Sequence, residues 1–247
     1  MNIKEVRAKS VLSESKVHDY AVNPYLGCEH SCTYCYARFM KRFTAHKEVW
    51  GEFIDIKANA PSLLEHEARR KRVGLVWVSG ICDPYQPIEK RYELTRRCLE
   101  ILIRRNWPVV VQTKSPLVLR DIDLLRNSRE IEVGLTVTTA DDEIRRLFEP
   151  KAPPIQERVR ALEQLHSAGI KTFAMIAPLL PRPEGLAEQL SRKVDYVLID
   201  RMNYHYADHV YKEHGLEDKM NDKFFTRTKV TLAAALSREG IPSRVLY

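Results

Sequence analysis

Leu75-Val76-Trp77-Val78 and Val109-Val110-Val111 are short apolar runs rich in β-branched residues, the second following Pro108. Runs of this kind, without polar alternation, read as strands covered on both faces. Between them, Glu89–Arg105 sets Leu94, Cys98, Ile101 and Leu102 on one face at i, i+4, i+7 and i+8, the spacing of an amphipathic helix. Cys98 falls on that apolar face and reads as core. Strand, helix, strand is the unit of a parallel sheet, because parallel neighbours need a long crossover.

The unit repeats in both directions. Tyr20-Ala21-Val22 is a weak strand upstream, and Pro61–Lys71 is helical with proline at its start. Downstream come helical Leu117–Arg126 and the alternating strand Ile131–Val137. Ile155–Ala168 follows, with Ile155, Val159, Leu162 and Leu165 on one face and Gly169 as its stop. Thr172–Ile176 and Tyr196–Ile199 are further strands, and Phe224–Arg238 is a last helix ended by Gly240. Phe53–Lys57 is a smaller strand signal, inserted between the first two units. Six strand–helix units imply an α/β chain forming a partial (β/α)6 barrel of TIM type, short of the eight units that typically need ~250 residues. The expected organisation is one domain over residues 1–247. Residues 1–19 form an N-terminal arm, and 201–247 form a C-terminal extension whose helix packs on the barrel.

The 247 residues hold 44% hydrophobic and 30% charged side chains, a balance that excludes a disordered chain and suffices for a core without staples. No apolar run approaches the ~18–20 residues of a membrane span. The charged start, Met-Asn-Ile-Lys-Glu-Val-Arg, lacks the apolar segment of a secretion signal, so the expected address is cytoplasmic. The net charge of +7 permits a polyanionic partner without requiring one.

Five cysteines stand at 28, 32, 35, 82 and 98, an odd number that argues against a disulfide scaffold. Three lie in Gly27-Cys28-Glu29-His30-Ser31-Cys32-Thr33-Tyr34-Cys35-Tyr36, spaced Cys-x3-Cys-x2-Cys, after the first barrel strand. Three thiolates on one loop can hold three irons of a cubane cluster, with the fourth iron open or completed by a distant residue. A zinc site is the alternative: His30 lies in the loop, and His205 and His209 have zinc-ligand spacing, though far along the chain. A non-catalytic zinc or iron–sulfur module that binds nucleic acid would follow from that alternative.

The loop, with Tyr34 just before its last cysteine, resembles that of the radical S-adenosylmethionine superfamily. Asn23-Pro24-Tyr25-x-Gly27-Cys28-Glu29-His30 and Tyr34-Cys35-Tyr36-Ala37-Arg38 resemble its spore photoproduct lyase-like branch. So do Asp83-Pro84-Tyr85-Gln86-Pro87-x-Glu89, Leu94-Thr95-Arg96, Thr113-Lys114-Ser115, Arg120-Asp121, Glu149-Pro150-x-Ala152-Pro153 and Ala177-Pro178, all in order. The resemblance implies metal ligation by Cys28, Cys32 and Cys35, a [4Fe-4S] cluster and S-adenosylmethionine. It further implies cleavage of that cofactor to a 5′-deoxyadenosyl radical for hydrogen abstraction. Implied partners are a reduced flavodoxin or ferredoxin-type electron donor and a nucleic-acid or nucleotide substrate, with no membrane.

Such barrels carry their chemistry at the C-terminal ends of the strands. Strand-end position therefore points to cofactor contacts from Ser79 and Asp83 toward the ammonium, and from Lys114 and Ser115 toward a carboxylate or ribose hydroxyl. Thr136 and Thr138 share one face and could meet the ribose, while the resemblance implies a cofactor contact from Tyr34 and a backbone contact from Ala177 to adenine. Arg158 is either a bidentate partner of the cofactor carboxylate or one half of an ion pair with Glu149. Cys82 and Tyr36 are the candidates for hydrogen-atom transfer. In spore photoproduct lyase the donating cysteine lies in this stretch, but counting back from Asp83 it falls on Gly80 here, two residues before Cys82. That offset, the short arm before the cluster loop and the unmatched C-terminal region count against photoproduct repair. After the last strand, Arg201, Asn203, Tyr204 and His205 are the expected substrate contacts, aromatics with arginine suiting a flat ring.

Overall fold

The computed structural model describes residues 1–246. Its larger sheet has eight strands in the order β2-β3-β6-β7-β8-β9-β10-β11: Leu12–Glu14, Tyr20–Val22, Val76–Val78, Val109–Thr113, Ile131–Thr136, Lys171–Ile176, Tyr196–Ile199 and Ser243–Val245. From β3 to β11 every pairing is parallel, in registers such as Val76↔Val109, Val109↔Ile131 and Phe173↔Tyr196. β2 runs antiparallel on the outer edge of β3. β2 and β11 remain separate edges, so the barrel is partial.

The six strands expected from sequence are all present, and β11 adds a seventh parallel one. Helices cover the sheet: α1 (Ala60–Arg70), α3 (Leu94–Arg104) and α6 (Ile155–Ser167) bury their apolar faces against strand residues such as Val76, Val109, Val133 and Val197. Cys98 is fully buried in this core. Phe225, Leu232 and Leu236 of α9 (Asp222–Arg238) join the same core. Gly134 in β8 is a packing necessity. A Cβ there would stand 2.2 Å from the Phe173 ring of β9.

The single helix expected over Glu89–Arg105 is two, α2 (Glu89–Tyr92) and α3, broken at Glu93 with φ 50°. The break has a polar cause. The buried Glu89 carboxylate accepts from the amides of Thr95 (3.0 Å) and Arg96 (3.3 Å), taking the place of an N-cap for α3. Arg120 (2.9 Å) and the Tyr25 hydroxyl donate to the same carboxylate.

The N-terminal arm contributes a strand that the sequence did not signal. β1 (Asn2–Val6) pairs in parallel with β5 (Phe53–Lys57), and β4 (Tyr25–Leu26) pairs antiparallel on its other side, making a small second sheet. The middle three residues of β1 are exposed, so no alternation marks it in sequence. Among the described residues no helix is long and apolar enough to cross a membrane.

Candidate active site

The cysteine loop leaves β4 through Gly27, whose φ of 92° favours glycine and where a Cβ would meet the Phe53 carbonyl oxygen at 2.2 Å. Protein hydrogen bonds then clamp the loop from two sides. The Glu29 amide donates to Gln86 Oε1 (2.9 Å), and Glu29 Oε2 accepts from the Ile88 amide (2.8 Å). On the far side, the Thr33 amide donates to the Phe148 carbonyl (2.9 Å) at the end of α5 (Asp142–Phe148).

Cys28 and Cys32 are buried and Cys35 is half-buried; all three are free thiols. Burial pushes each thiol up, Cys32 to about 12 and Cys28 well above its ordinary value. Around Cys35 the rise is tempered by the Ala37 amide, by Lys114 and by the indole N–H of Trp50, a buried donor with no other partner. Dry sulfurs of this kind lose their protons to a bound metal, not to water.

These thiols open into a cleft of about 520 Å³ at the C-terminal ends of the strands. Tyr34, Tyr36, Ser79, Cys82, Asp83, Lys114, Thr136 and Ala177 line it with Cys28, Cys32 and Cys35. Ser79 Oγ donates to Asn23 Oδ1 and lies 2.9 Å from Cys82 Sγ, which also points at the Tyr25 carbonyl (3.5 Å). Burial pushes the Cys82 thiol up to about 12, so it stays protonated at neutral pH.

Asp83 is fully engaged by the protein itself. Oδ1 accepts from the Tyr85 amide (2.9 Å) and the Thr113 hydroxyl (2.5 Å), while Oδ2 accepts from the Lys114 amide (2.7 Å) and lies 3.2 Å from His30 Nε2. Burial opposes its charge, but His30 and these donors win and hold the carboxyl at about 2. The carboxylate therefore ties the cysteine loop, through His30, to the end of β7.

Behind the Tyr34 ring lies a second buried group. Arg158 and Glu149 form an ion pair at 2.5 Å with neither side chain exposed. Glu149 also accepts from the hydroxyls of Tyr34 and Thr138 (3.2 Å), and Arg158 donates to the carbonyls of Thr136 (3.0 Å) and Pro153 (2.9 Å). Burial disfavours the Glu149 charge, yet Arg158 and then Lys114 hold its pKa below the usual carboxylate range. Arg158 and Thr138 thus sit outside the cleft wall, and Arg158 takes the ion-pair alternative. Ser115 also lies off the cleft; its Oγ accepts from the Leu117 amide and caps the 3-10 helix Pro116–Asp121.

At the mouth, Arg201, Asn203 and Tyr204 line the cleft. His205 does not: it is exposed and bonded to Asp208 (3.1 Å). Tyr36 donates to the Gly80 carbonyl and stacks on Tyr204 at 6.3 Å, Tyr204 stacks on Tyr206 at 5.6 Å, and the Arg38 guanidinium lies 4.6 Å over Tyr206. Sequence reasoning passed over Gln112 and Met175. Gln112 and Met175 sit near the ends of β7 and β9 with Thr136 of β8, facing inward, and Gln112 donates to Thr136 Oγ1 (3.3 Å). Strand-end position was the signal that could have found them.

A family profile described as the radical SAM superfamily matches residues 22–188. An uncharacterized protein of Methanocaldococcus jannaschii is 36% identical over 183 residues, 73% of this chain and 69% of that one. An uncharacterized protein of Mycobacterium tuberculosis is 31% identical over 182 residues; the match spans 70% of this chain and about half, 53%, of the mycobacterial one. The fold is similar to that of a spore photoproduct lyase variant solved with bound AdoMet and dinucleoside spore photoproduct. There the TM-score is 0.71, with 14% identity over 99% of this chain and 82% of the lyase chain.

Proposed function

The chain belongs to the radical S-adenosylmethionine superfamily, and from that premise we propose that Cys28, Cys32 and Cys35 carry its cluster and that the adjoining cleft takes the cofactor and a nucleic-acid-derived substrate. It is an enzyme, and enzymes of this superfamily work with a [4Fe-4S] cluster and S-adenosylmethionine. The observation that carries the proposal is a convergence. Three thiols from one clamped loop share a cleft with Ser79, Lys114 and Thr136 from the ends of three successive barrel strands.

The donors fit a cluster better than a zinc ion. Thiolates are the ordinary ligands of iron–sulfur clusters. Among the described residues no three His, Cys, Asp or Glu side chains converge on one metal position, and a structural zinc needs four donors within ~2.0–2.3 Å. Bound together, the cluster and S-adenosylmethionine supply one-electron cleavage of the sulfonium and a 5′-deoxyadenosyl radical able to abstract hydrogen.

The chain's own residues bind, orient and dry that chemistry. Lys114 presents a cation 5.7 Å over the Tyr34 ring. Burial works against its charge, but Cys32, as the thiolate that ligation requires, and Glu149 outweigh burial and keep it protonated to carry a carboxylate or ribose hydroxyl. The Ser79 and Thr136 hydroxyls and the Ala177 backbone are set to hold the rest of the cofactor. Cys82 keeps a hydrogen on sulfur and can return it to a substrate radical. The stacked Tyr36, Tyr204 and Tyr206, with Arg38 and Arg201, suit a nucleobase at the mouth. The lyase structure with a dinucleoside lesion supports that substrate class, as does the net charge of +7.

Anaerobic reconstitution followed by dithionite and S-adenosylmethionine tests the proposal: 5′-deoxyadenosine must form. A fully iron-loaded protein that makes none refutes it. Product masses after turnover with DNA, RNA and nucleotide pools then decide the substrate class.

A further inference from the structure

The 3-10 helix Tyr36–Phe43 starts at Cys35 and leads from the cleft to the surface. At ~2.0 Å per residue its last residue stands roughly 14 Å beyond Tyr36. From Tyr36 to Lys47 the chain has Arg38, Lys41, Arg42 and Lys47 and no acidic residue. Phe39, Phe43 and Val49 are exposed there, and the Arg42 guanidinium lies over both phenylalanine rings at 5.2 and 5.1 Å. The nearest carboxylate in sequence, Glu48, is turned onto Asn2 (2.5 Å) and His46 (3.3 Å). An apolar centre with a cationic surround has the composition of a protein interface for an acidic partner.

A concavity on this surface is lined by Arg38, Phe39, Lys41, Arg42 and His46, none of which lines the catalytic cleft. It connects inward through packed rings. His46 stacks on Phe53 at 4.1 Å, Phe53 meets Trp50 edge-on at 5.8 Å, and the buried Trp50 indole lies beside Cys35.

We propose that this surface is where an acidic one-electron carrier protein docks, oriented by Lys41, Arg42 and Lys47 with Phe39 and Phe43 beneath it. The inference rests on the cluster assignment made above. The carrier is oxidised by one electron and the cluster reduced by one, through the wall that Trp50 and Cys35 share. The Arg42 guanidinium already covers a face of both Phe39 and Phe43, which takes those ring faces away from stacking bases and favours a protein over a polynucleotide.

The test uses the reconstituted protein, a flavodoxin as the acidic carrier, and Lys41→Glu/Arg42→Glu. Two readouts are taken: the dissociation constant of the flavodoxin by calorimetry, and the rate at which reduced flavodoxin or dithionite bleaches the cluster. The expected result is flavodoxin binding weakened about tenfold or more and flavodoxin-driven bleaching slowed in step, with dithionite-driven bleaching unchanged. Wild-type binding should also weaken as salt rises. Unchanged flavodoxin affinity in the variant overturns the proposal, as does a loss confined to oligonucleotide binding. If the charge-reversed chain fails to fold, Lys41→Gln/Arg42→Gln gives the same readouts. A wild-type cluster that dithionite cannot reduce counts against the functional assignment instead, and flavodoxin binding still decides the surface.

Discussion

Arg158 holds Glu149 at 2.5 Å in a fully buried ion pair, and the same carboxylate anchors the hydroxyl of Tyr34, whose ring forms part of the cleft wall. Removing one partner leaves the other charged and unpaired in the core. Arg158→Met should therefore destabilise the protein by about 3–5 kcal/mol, measured by urea unfolding. A loss under 1 kcal/mol would show that the pair is solvated after all.

The pH dependence follows from the same carboxylate. Its folded pKa lies below the unfolded value of ~4.3, so the group binds fewer protons folded than unfolded around that pH. Its contribution to stability is complete above the unfolded pKa and is lost as pH falls through the folded one. Glu149→Gln should lower stability at neutral pH and flatten its decline below about pH 4–5. A decline as steep as in the wild type would place the acid-sensitive group elsewhere.

Cys28→Ala, Cys32→Ala and Cys35→Ala should each lose the iron-dependent visible absorption after reconstitution and abolish 5′-deoxyadenosine formation. Cys98→Ala should keep both, because its thiol lies in the core between helix and sheet. Full iron content in any of the first three would remove that residue from the ligand set.

Asp83 accepts three hydrogen bonds and faces His30 Nε2 at 3.2 Å, so Asp83→Asn turns acceptors into donors on one side of the group. The expected cost is about 1–3 kcal/mol of stability. Because His30 loses its carboxylate, cofactor cleavage should slow even in protein with full iron content. Rates per iron, compared between variant and wild type, check this.

Cys82→Ala removes a hydrogen donor without touching the cluster ligands. Cleavage of S-adenosylmethionine should persist while substrate turnover falls at least tenfold or ends in abnormal products, read by mass spectrometry. Normal product at the wild-type rate would assign the return of hydrogen to another group, with Tyr36 next in line.

Most barrel strands were legible because burial makes them apolar or alternating runs rich in β-branched residues, whereas the partly buried Tyr20–Val22 signals only weakly. The same physics hid β1, whose exposed middle shows no period, and β11, Ser243–Val245, which is short and mostly exposed. The helix break at Glu93 was hidden because its cause, the Glu89 carboxylate serving amides of α3, is a side-chain event beyond any hydrophobic pattern. In the cleft, strand-end position found Ser79, Cys82, Lys114 and Thr136. It placed Ser115 and Thr138 there as well, since spacing shows which residues stand at a strand end but not which way a hydroxyl turns. For Arg158 the sequence leaves both the cofactor carboxylate and Glu149 open, and the buried geometry decides for Glu149.

The cysteine loop is held by Gln86, Ile88, Phe148 and Asp83, and none of these contacts needs iron. Small metal domains commonly unfold when stripped, because the metal supplies their folding energy. With the proposed cluster in place, the loop would be held by these protein contacts as well as by iron, so loss of the metal should not by itself unfold the segment.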